Sequence, residues 1–241
     1  MTSLVFPGQG SQFVGMTKDF YDKFPIVRET FEVIETSTKI NIKDIIFYNK
    51  TDLLNITQYA QLAIFCSSIS IFNVLKKEVL NDKLSINYCL GHSLGEYSAL
   101  VASKVLNIED CSKLLKIRSK LMQNSCIENM SGMVAIIGLN CSFVEKIIYD
   151  NSLDVEVAND NSPFQVVISG LKKNLSRAES IFKKNGARKF IHLNVSAAFH
   201  SKIMKKAEEK FKLFLNKIVF NEPIYPIISN FSAKESNDQK I

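Results

Sequence analysis

The chain has 241 residues, 46% of them hydrophobic and 22% charged, with a formal net charge of +6. That length buries a core as one large domain or as a large domain with a small insert, and the composition excludes collagenous, repetitive and broadly disordered classes. Residues 171–217 carry thirteen Lys or Arg against three Glu, a stripe that either solvates helix faces or steers an acidic or phosphorylated partner; without interleaved aromatics or a binding module it does not point to nucleic acid.

Ser3 to Phe6 reads as a short strand ended by the turn-rich PGQGSQ, with no signal peptide expected ahead of it. A helix is predicted over Lys18–Thr36, acidic near its start as the helix dipole prefers. The longest helical candidate, Thr57–Lys77, is apolar nearly all round and so is expected inside the molecule. Its strongly apolar stretch from Leu62 to Leu75 is interrupted by Ser67, Ser68, Ser70 and Asn73, short of the ~20 residues a bilayer requires, and no membrane insertion is expected. Ile86–Leu90 reads as a buried strand, and GHSLGEYSALVAS switches to helical spacing directly after it. Asn107 and Asp110 resemble a capping box with a shortened acid, opening a helix to about Cys126.

Beyond that helix the pattern changes. Met133–Leu139, Asp154–Ala158, Gln165–Ser169 and Lys189–Leu193 read as strands, with helices at Cys141–Tyr149 and Leu175–Lys184. Strand–helix–strand–strand–helix–strand is the order of the split βαβ, or ferredoxin-like, module. The fold expected is α/β: a hydrolase-like, parallel-sheet large domain (residues 1–126 and 196–241) with an inserted ferredoxin-like small domain (127–195). A basic helix, Lys202–Phe214, and a short strand, Tyr225–Ile228, follow. The polar NFSAKESNDQKI then reads as a loop cut off mid-course, so the second part of the large domain is expected to be incomplete. Five cysteines (66, 89, 111, 126 and 141) show no close pairing. They read as small hydrophobes in a reducing, intracellular compartment, without a structural zinc.

The sharpest chemical signal is Gly91-His92-Ser93-Leu94-Gly95, a G-x-S-x-G between strand and helix. A nucleophile on so tight a turn leaves no room for side chains two residues to either side, and the helix after it aims N–H groups at developing negative charge. The alternative is a plain glycine-rich turn. Of three histidines, His92 is expected to be structural, since neighbouring side chains in a sharp turn diverge. His192 sits in an alternating strand. His200, in SAAFHSK between the insert and the next helix, is the candidate general base for Ser93; its alternative is a satisfied core or cap histidine. Cys111, Leu115, Arg118 and Met122 share one helix face. An arginine in that row requires a partner, either an internal Asp or Glu or a carboxylate on a substrate gripped by the guanidinium fork. Gly8 and Gly10 flank Gln9 and allow a tight approach, so the N–H groups of Gln9 and Leu94 are candidate oxyanion donors. That turn lacks the G-K-[ST] of a phosphate loop, and Phe13 stands where a dinucleotide fingerprint has its third glycine.

FPGQGSQ at 6–12, GHSLGEYSAL at 91–100, the R-x-K-x-M-Q of Arg118–Gln123 and FHS at 199–201 together resemble malonyl-CoA:acyl carrier protein transacylases. Ile136–Leu139 and the NSP of 161–163 resemble that family's small domain, and the similarity runs along essentially the whole chain. The resemblance implies an acyltransferase of fatty acid synthesis. In it Ser93 is the acylated nucleophile, His200 its base, and Arg118 the residue that pairs with malonate's free carboxylate. Gln9 and Leu94 supply the oxyanion hole, with Gly91 and Gly95 shaping the elbow. It implies malonyl-CoA as substrate, no cofactor or metal, acyl carrier protein as partner and a cytoplasmic setting, and it leaves the oligomeric state open, a monomer included. Phe164 stands where the family commonly has glycine, and Ala198 where proline is frequent. Homologues continue for several dozen residues past the position of Ile241. The other readings are a serine thioesterase or hydrolase, and a shortened, noncatalytic protein that binds carrier.

Overall fold

A computed structural model describes residues 2–79, 85–125, 130–195 and 197–236; Cys126 and the joint expected at 126 lie outside them. The chain divides into two compact units, residues 1–120 with 214–241, and residues 121–213.

In the first unit, β1 (Ser3–Phe6) pairs in parallel with β2 (Tyr88–Gly91), from Ser3 opposite Tyr88 to Phe6 opposite Gly91. β2 pairs in parallel with β7 (Ile227–Ile228), Cys89 opposite Ile227. The sheet order is β1-β2-β7-β8, and β8 (Glu235–Ser236) adds an antiparallel edge. The tail therefore folds back onto the sheet through residue 236 and is not a plain loop over that span.

The helix expected over Lys18–Thr36 is two helices, α1 (Lys18–Lys23) and α2 (Pro25–Thr38). Phe24 between them is extended (φ −112°, ψ 118°), because a residue preceding proline is pushed out of the helical region while proline itself suits a first helical turn. A short helix not expected from the sequence, α3 (Ile42–Phe47), is capped by Asn41, whose Oδ1 accepts the Asp44 N–H at 3.1 Å. Helix α4 (Thr57–Val74) continues into a π-helical turn, Leu75–Val79. Thr57–Glu78 is long and apolar enough to cross a bilayer by composition, yet 67% of its most apolar window is buried inside the protein, against α2, α3 and α5 (Gly95–Ala102). It is the core helix that its all-round apolar pattern demands. Helix α6 (Ile108–Asn124) opens on Asn107, whose Oδ1 accepts the Asp110 N–H at 2.7 Å. The reciprocal bond runs from Asn107 Nδ2 to the Asp110 carboxylate at 2.8 Å, since the shorter acid meets the side chain.

In the second unit, β3 (Ser131–Ile137), α7 (Cys141–Asp150), β4 (Val155–Ser162), β5 (Gln165–Leu171), α8 (Lys172–Lys184) and β6 (Lys189–His192) follow in the expected order. The sheet runs β4-β5-β3-β6, antiparallel throughout, the ferredoxin-like arrangement. Strand alternation splits β3 between two cores. Val134 and Ile136 join Val144 and Ile147 of α7 and Leu175, Ala178 and Phe182 of α8. Met133 and Ala135 face the other way, onto Ala197, Phe199 and Met204. That second core carries the compact unit past the boundary expected at 195, because residues 197–204 cover a sheet face that would otherwise be bare.

Candidate active site

The bend between β2 and α5 is built by steric exclusion. Ser93 sits in the left-handed region at φ 51°. A Cβ on Gly91 would come within 2.0 Å of the Gly95 carbonyl carbon, and one on Gly95 within 2.4 Å of the Phe6 carbonyl oxygen, so only glycine closes this bend. The N–H groups of His92, Gly95, Glu96 and Tyr97 donate to the carbonyls of Phe6 (3.0 Å), His92 (2.9 Å), Ser93 (3.1 Å) and Leu94 (3.1 Å). The Ser93 N–H donates to Asn230 Oδ1 at 3.0 Å. Among the described residues, the Leu94 N–H makes no hydrogen bond.

The turn after β1 lies against this bend. A Cβ on Gly8 would meet the ring of exposed His92 at 2.5 Å and its carbonyl oxygen at 2.7 Å, so only glycine allows the turn to lie this close. Gly10 takes φ 105°, and Ser11 Oγ donates back to the Gly8 carbonyl at 2.8 Å. Gln9 reaches across with its side chain, Nε2 donating to Thr57 Oγ1 at 3.1 Å. Its backbone N–H, like that of Leu94, makes no hydrogen bond among the described residues.

Arg118 faces the nucleophile. Nη2 donates to Ser93 Oγ at 3.1 Å, Nη1 donates to Gln61 Oε1 at 2.5 Å, and the guanidinium lies over the Tyr97 ring, 5.5 Å from its centroid. Among the described residues no carboxylate forms an ion pair with it. The nearby Glu96 turns toward Asn230, which donates to it through Nδ2 at 2.6 Å and through its backbone N–H at 3.4 Å. Burial pushes the Glu96 carboxyl above the usual carboxylate range, while the Asn230 donors and the Arg118 charge pull it back. Burial likewise pushes the Tyr97 hydroxyl up to about 12 against the opposing pull of Arg118. Arg118 is thus a half-buried cation held by a neutral amide, with a hydrogen bond to spare for Ser93. No three His, Cys, Asp or Glu side chains gather into a metal-binding group among the described residues.

The other two histidines belong to the second unit. His192 is exposed on β6, packed edge-on against Phe190 with ring centroids 5.7 Å apart. His200 is exposed and left-handed at φ 55°. Its turn is pinned by buried Phe199 on one side and by Ser201 on the other. Ser201 Oγ donates to the Ala198 carbonyl at 2.7 Å and caps the 3-10 turn Lys202–Met204 by accepting the Ile203 N–H. Ala198 itself is fully buried and donates its N–H to Ser131 Oγ at 3.3 Å.

Residues 3–241 match the acyl transferase domain family. A malonyl CoA-acyl carrier protein transacylase of Bacillus subtilis (strain 168) is 35% identical over 235 residues, covering 96% of this chain and 73% of that protein. A polyketide biosynthesis malonyl CoA-acyl carrier protein transacylase of the same organism is 39% identical over 236 residues, with 97% and 79% covered. The chain belongs to the malonyl CoA-acyl carrier protein transacylase family. A solved malonyl-transacylase in complex with its type II PKS acyl-carrier protein superposes with a TM-score of 0.91 at 33% identity, covering 98% of this chain and 76% of that one.

Within this transacylase fold the structure brings together Gly91, Ser93, Leu94, Gly95 and Arg118 from the sequence-derived set, with the Gln9 turn against them. It also supplies three residues the sequence reading did not single out: Gln61, Tyr97 and Asn230. Gln61 is only 1% exposed, but in the sequence it is one of several polar residues in its helix, and neither it nor Asn230, in the polar tail, carried a signal.

Proposed function

We propose that this chain transfers malonyl from coenzyme A to the pantetheine thiol of acyl carrier protein through an acyl-enzyme on Ser93. The observation that carries the reading is the Arg118 guanidinium, hydrogen-bonded to the Ser93 hydroxyl and without a carboxylate partner among the described residues. A planar two-donor cation beside a nucleophile suits an acyl group that ends in a free carboxylate.

In the first half-reaction the Ser93 oxygen attacks the thioester carbon as His200 takes the hydroxyl proton. The tetrahedral oxyanion accepts the N–H groups of Gln9 and Leu94. The C–S bond breaks, and His200 returns the proton to the departing coenzyme A thiol. In the second half, the carrier's pantetheine thiol gives its proton to His200 and attacks the Ser93 ester; the serine oxygen leaves and is reprotonated. Two spare N–H groups, a strained serine and a histidine held on a left-handed turn supply the chemical groups these steps require. These steps require no cofactor or metal. Exposed Lys205, Lys206, Lys210 and Lys212 on α9 (Lys205–Leu215) offer positive charge to an acidic carrier protein. The cysteines Cys66, Cys89, Cys111 and Cys141 are unpaired thiols, which fits the reducing cytoplasm, where fatty acid synthesis would consume the product.

Intact-mass measurement tests the assignment. Incubation with malonyl-CoA adds one malonyl group to the chain and adds none to Ser93→Ala; an equal adduct on the alanine variant refutes Ser93. Added holo carrier protein then discharges the adduct onto its own pantetheine, whereas release of free malonate would make the protein a thioesterase.

A further inference from the structure

Asn230 follows β7, and the parallel register of Cys89 with Ile227 carries it alongside the bend that follows β2. Its backbone is fixed from the other side by the hairpin to β8, where the Ser229 N–H donates to the Lys234 carbonyl at 3.1 Å and the Ala233 N–H to the Ser229 carbonyl at 2.9 Å. From there its carboxamide touches the peptides on both sides of His92. Oδ1 accepts the Ser93 N–H at 3.0 Å, and Nδ2 donates to the Gly91 carbonyl at 2.6 Å. Nδ2 also donates to Glu96 Oε2 at 2.6 Å. This set fixes the amide's orientation: reversed, it would set oxygen against a carbonyl and a carboxylate, and nitrogen against an N–H.

We propose that Asn230 is a positioning residue for acylation, clamping the left-handed bend so that the Ser93 hydroxyl stays presented and the Leu94 N–H stays the free donor. The inference rests on Ser93 being the acylated residue. A non-glycine residue in the left-handed region persists only where its surroundings over-determine it. Here the over-determining contact is one side chain that supplies a donor and an acceptor across the bend, and Glu96 holds that side chain in register. Asn230 also occupies the Ser93 N–H, which keeps that group from competing with Leu94 for the developing charge.

The test is single-turnover acylation with malonyl-CoA at pH 8. Because small misplacements of reacting groups cost about 10²-fold, Asn230→Ala is expected to slow acylation at saturation by roughly 30- to 100-fold and to leave half-saturation within about threefold. The Arg118–Gln61 grip does not include Asn230, so a structural defect without a positioning role would not split the two parameters this way. Asn230→Asp keeps the acceptor for Ser93 but sets two carboxylates against each other. Adding Glu96→Gln restores a donor–acceptor pair and is expected to recover about tenfold over Asn230→Asp alone, in line with a like-charge clash being relieved. An alanine variant within about threefold of wild type, a loss confined to half-saturation, or no recovery in the double variant overturns the proposal. If the alanine variant does not fold, the aspartate and double variants decide. A wild-type chain that takes no malonyl on Ser93 counts against the proposed function. Amide hydrogen exchange at Ser93 then tests Asn230 independently, and equal exchange in wild type and the Asn230→Asp/Glu96→Gln pair against Asn230→Ala, or against Asn230→Asp where alanine does not fold, would overturn it.

Discussion

Replacing Arg118 with alanine separates a carboxylate grip from a structural arginine. The substitution removes the donor to Gln61 Oε1, the donor to Ser93 Oγ and the cation over Tyr97. Losing the charged hydrogen bond to buried Gln61 costs about 1.5–3 kcal/mol, and that cost falls on folding and on every substrate alike. What differs between substrates is the free carboxylate, present on malonyl and absent from acetyl. Hydrogen bonds to charged groups contribute about 1.5–3 kcal/mol each, and a two-pronged contact in a partly desolvated site sits at the upper end. At about 1.4 kcal/mol per tenfold, kcat/KM for malonyl-CoA is expected to fall about 100-fold more than that for acetyl-CoA. The assay is transfer to holo carrier protein from each thioester, with wild type and variant compared as a ratio of ratios, so that shared structural losses cancel. Arg118→Lys keeps the charge and loses the fork, and is expected to recover only part of the discrimination. Equal losses for the two substrates would refute the carboxylate grip and return Arg118 to a packing role.

Two further outcomes follow from the bend and its electrostatics. Gly91→Ala puts a Cβ 2.0 Å from backbone that no rotamer change can move; a loss of about 3 kcal/mol or more in denaturant unfolding is expected, together with loss of the malonyl adduct. A variant as stable and reactive as wild type would contradict the bend geometry. Glu96 has its folded-state pKa raised, chiefly by burial, so the stability it contributes is full below its unfolded pKa and is lost as pH rises through the folded one. Glu96→Gln removes that loss, and its stability relative to wild type is expected to climb from about pH 4 upward; a pH-independent difference would show that burial does not dominate at Glu96.

The sequence carried the elbow because its constraint is local: two glycines and a serine within five residues can be read without knowing what packs around them. The insert was legible for a similar reason, since each of its elements has its own period and the order names the topology. Where the reading failed, the deciding contact was either a one-residue effect or a distant one. Phe24–Pro25 splits a helix whose hydrophobic pattern runs on without interruption. The second unit runs past 195 because Phe199 and Met204 cover the odd-numbered face of β3, and the uninterrupted apolar run of that strand is the sign that both its faces are buried. Gln61 and Asn230 meet the site from 57 and 137 residues away, separations at which a single polar side chain leaves no pattern.

The start of α5 shows how local strain and chemistry arise from one cause. A helix ordinarily begins with several N–H groups that lack carbonyl partners. Here the left-handed Ser93 folds the chain back so that the N–H groups of Gly95, Glu96 and Tyr97 each find the carbonyl three residues earlier, while the Ser93 N–H is taken by Asn230. The bend thereby consumes the donors on either side of Leu94 and leaves that residue's N–H without a protein partner among the described residues. A single spare donor next to the nucleophile has a defined direction, whereas a row of them would bind any nearby anion. The turn that strains Ser93 is also the one that singles out Leu94, so a substitution that relaxes the bend is expected to lose hydroxyl presentation and oxyanion donation together.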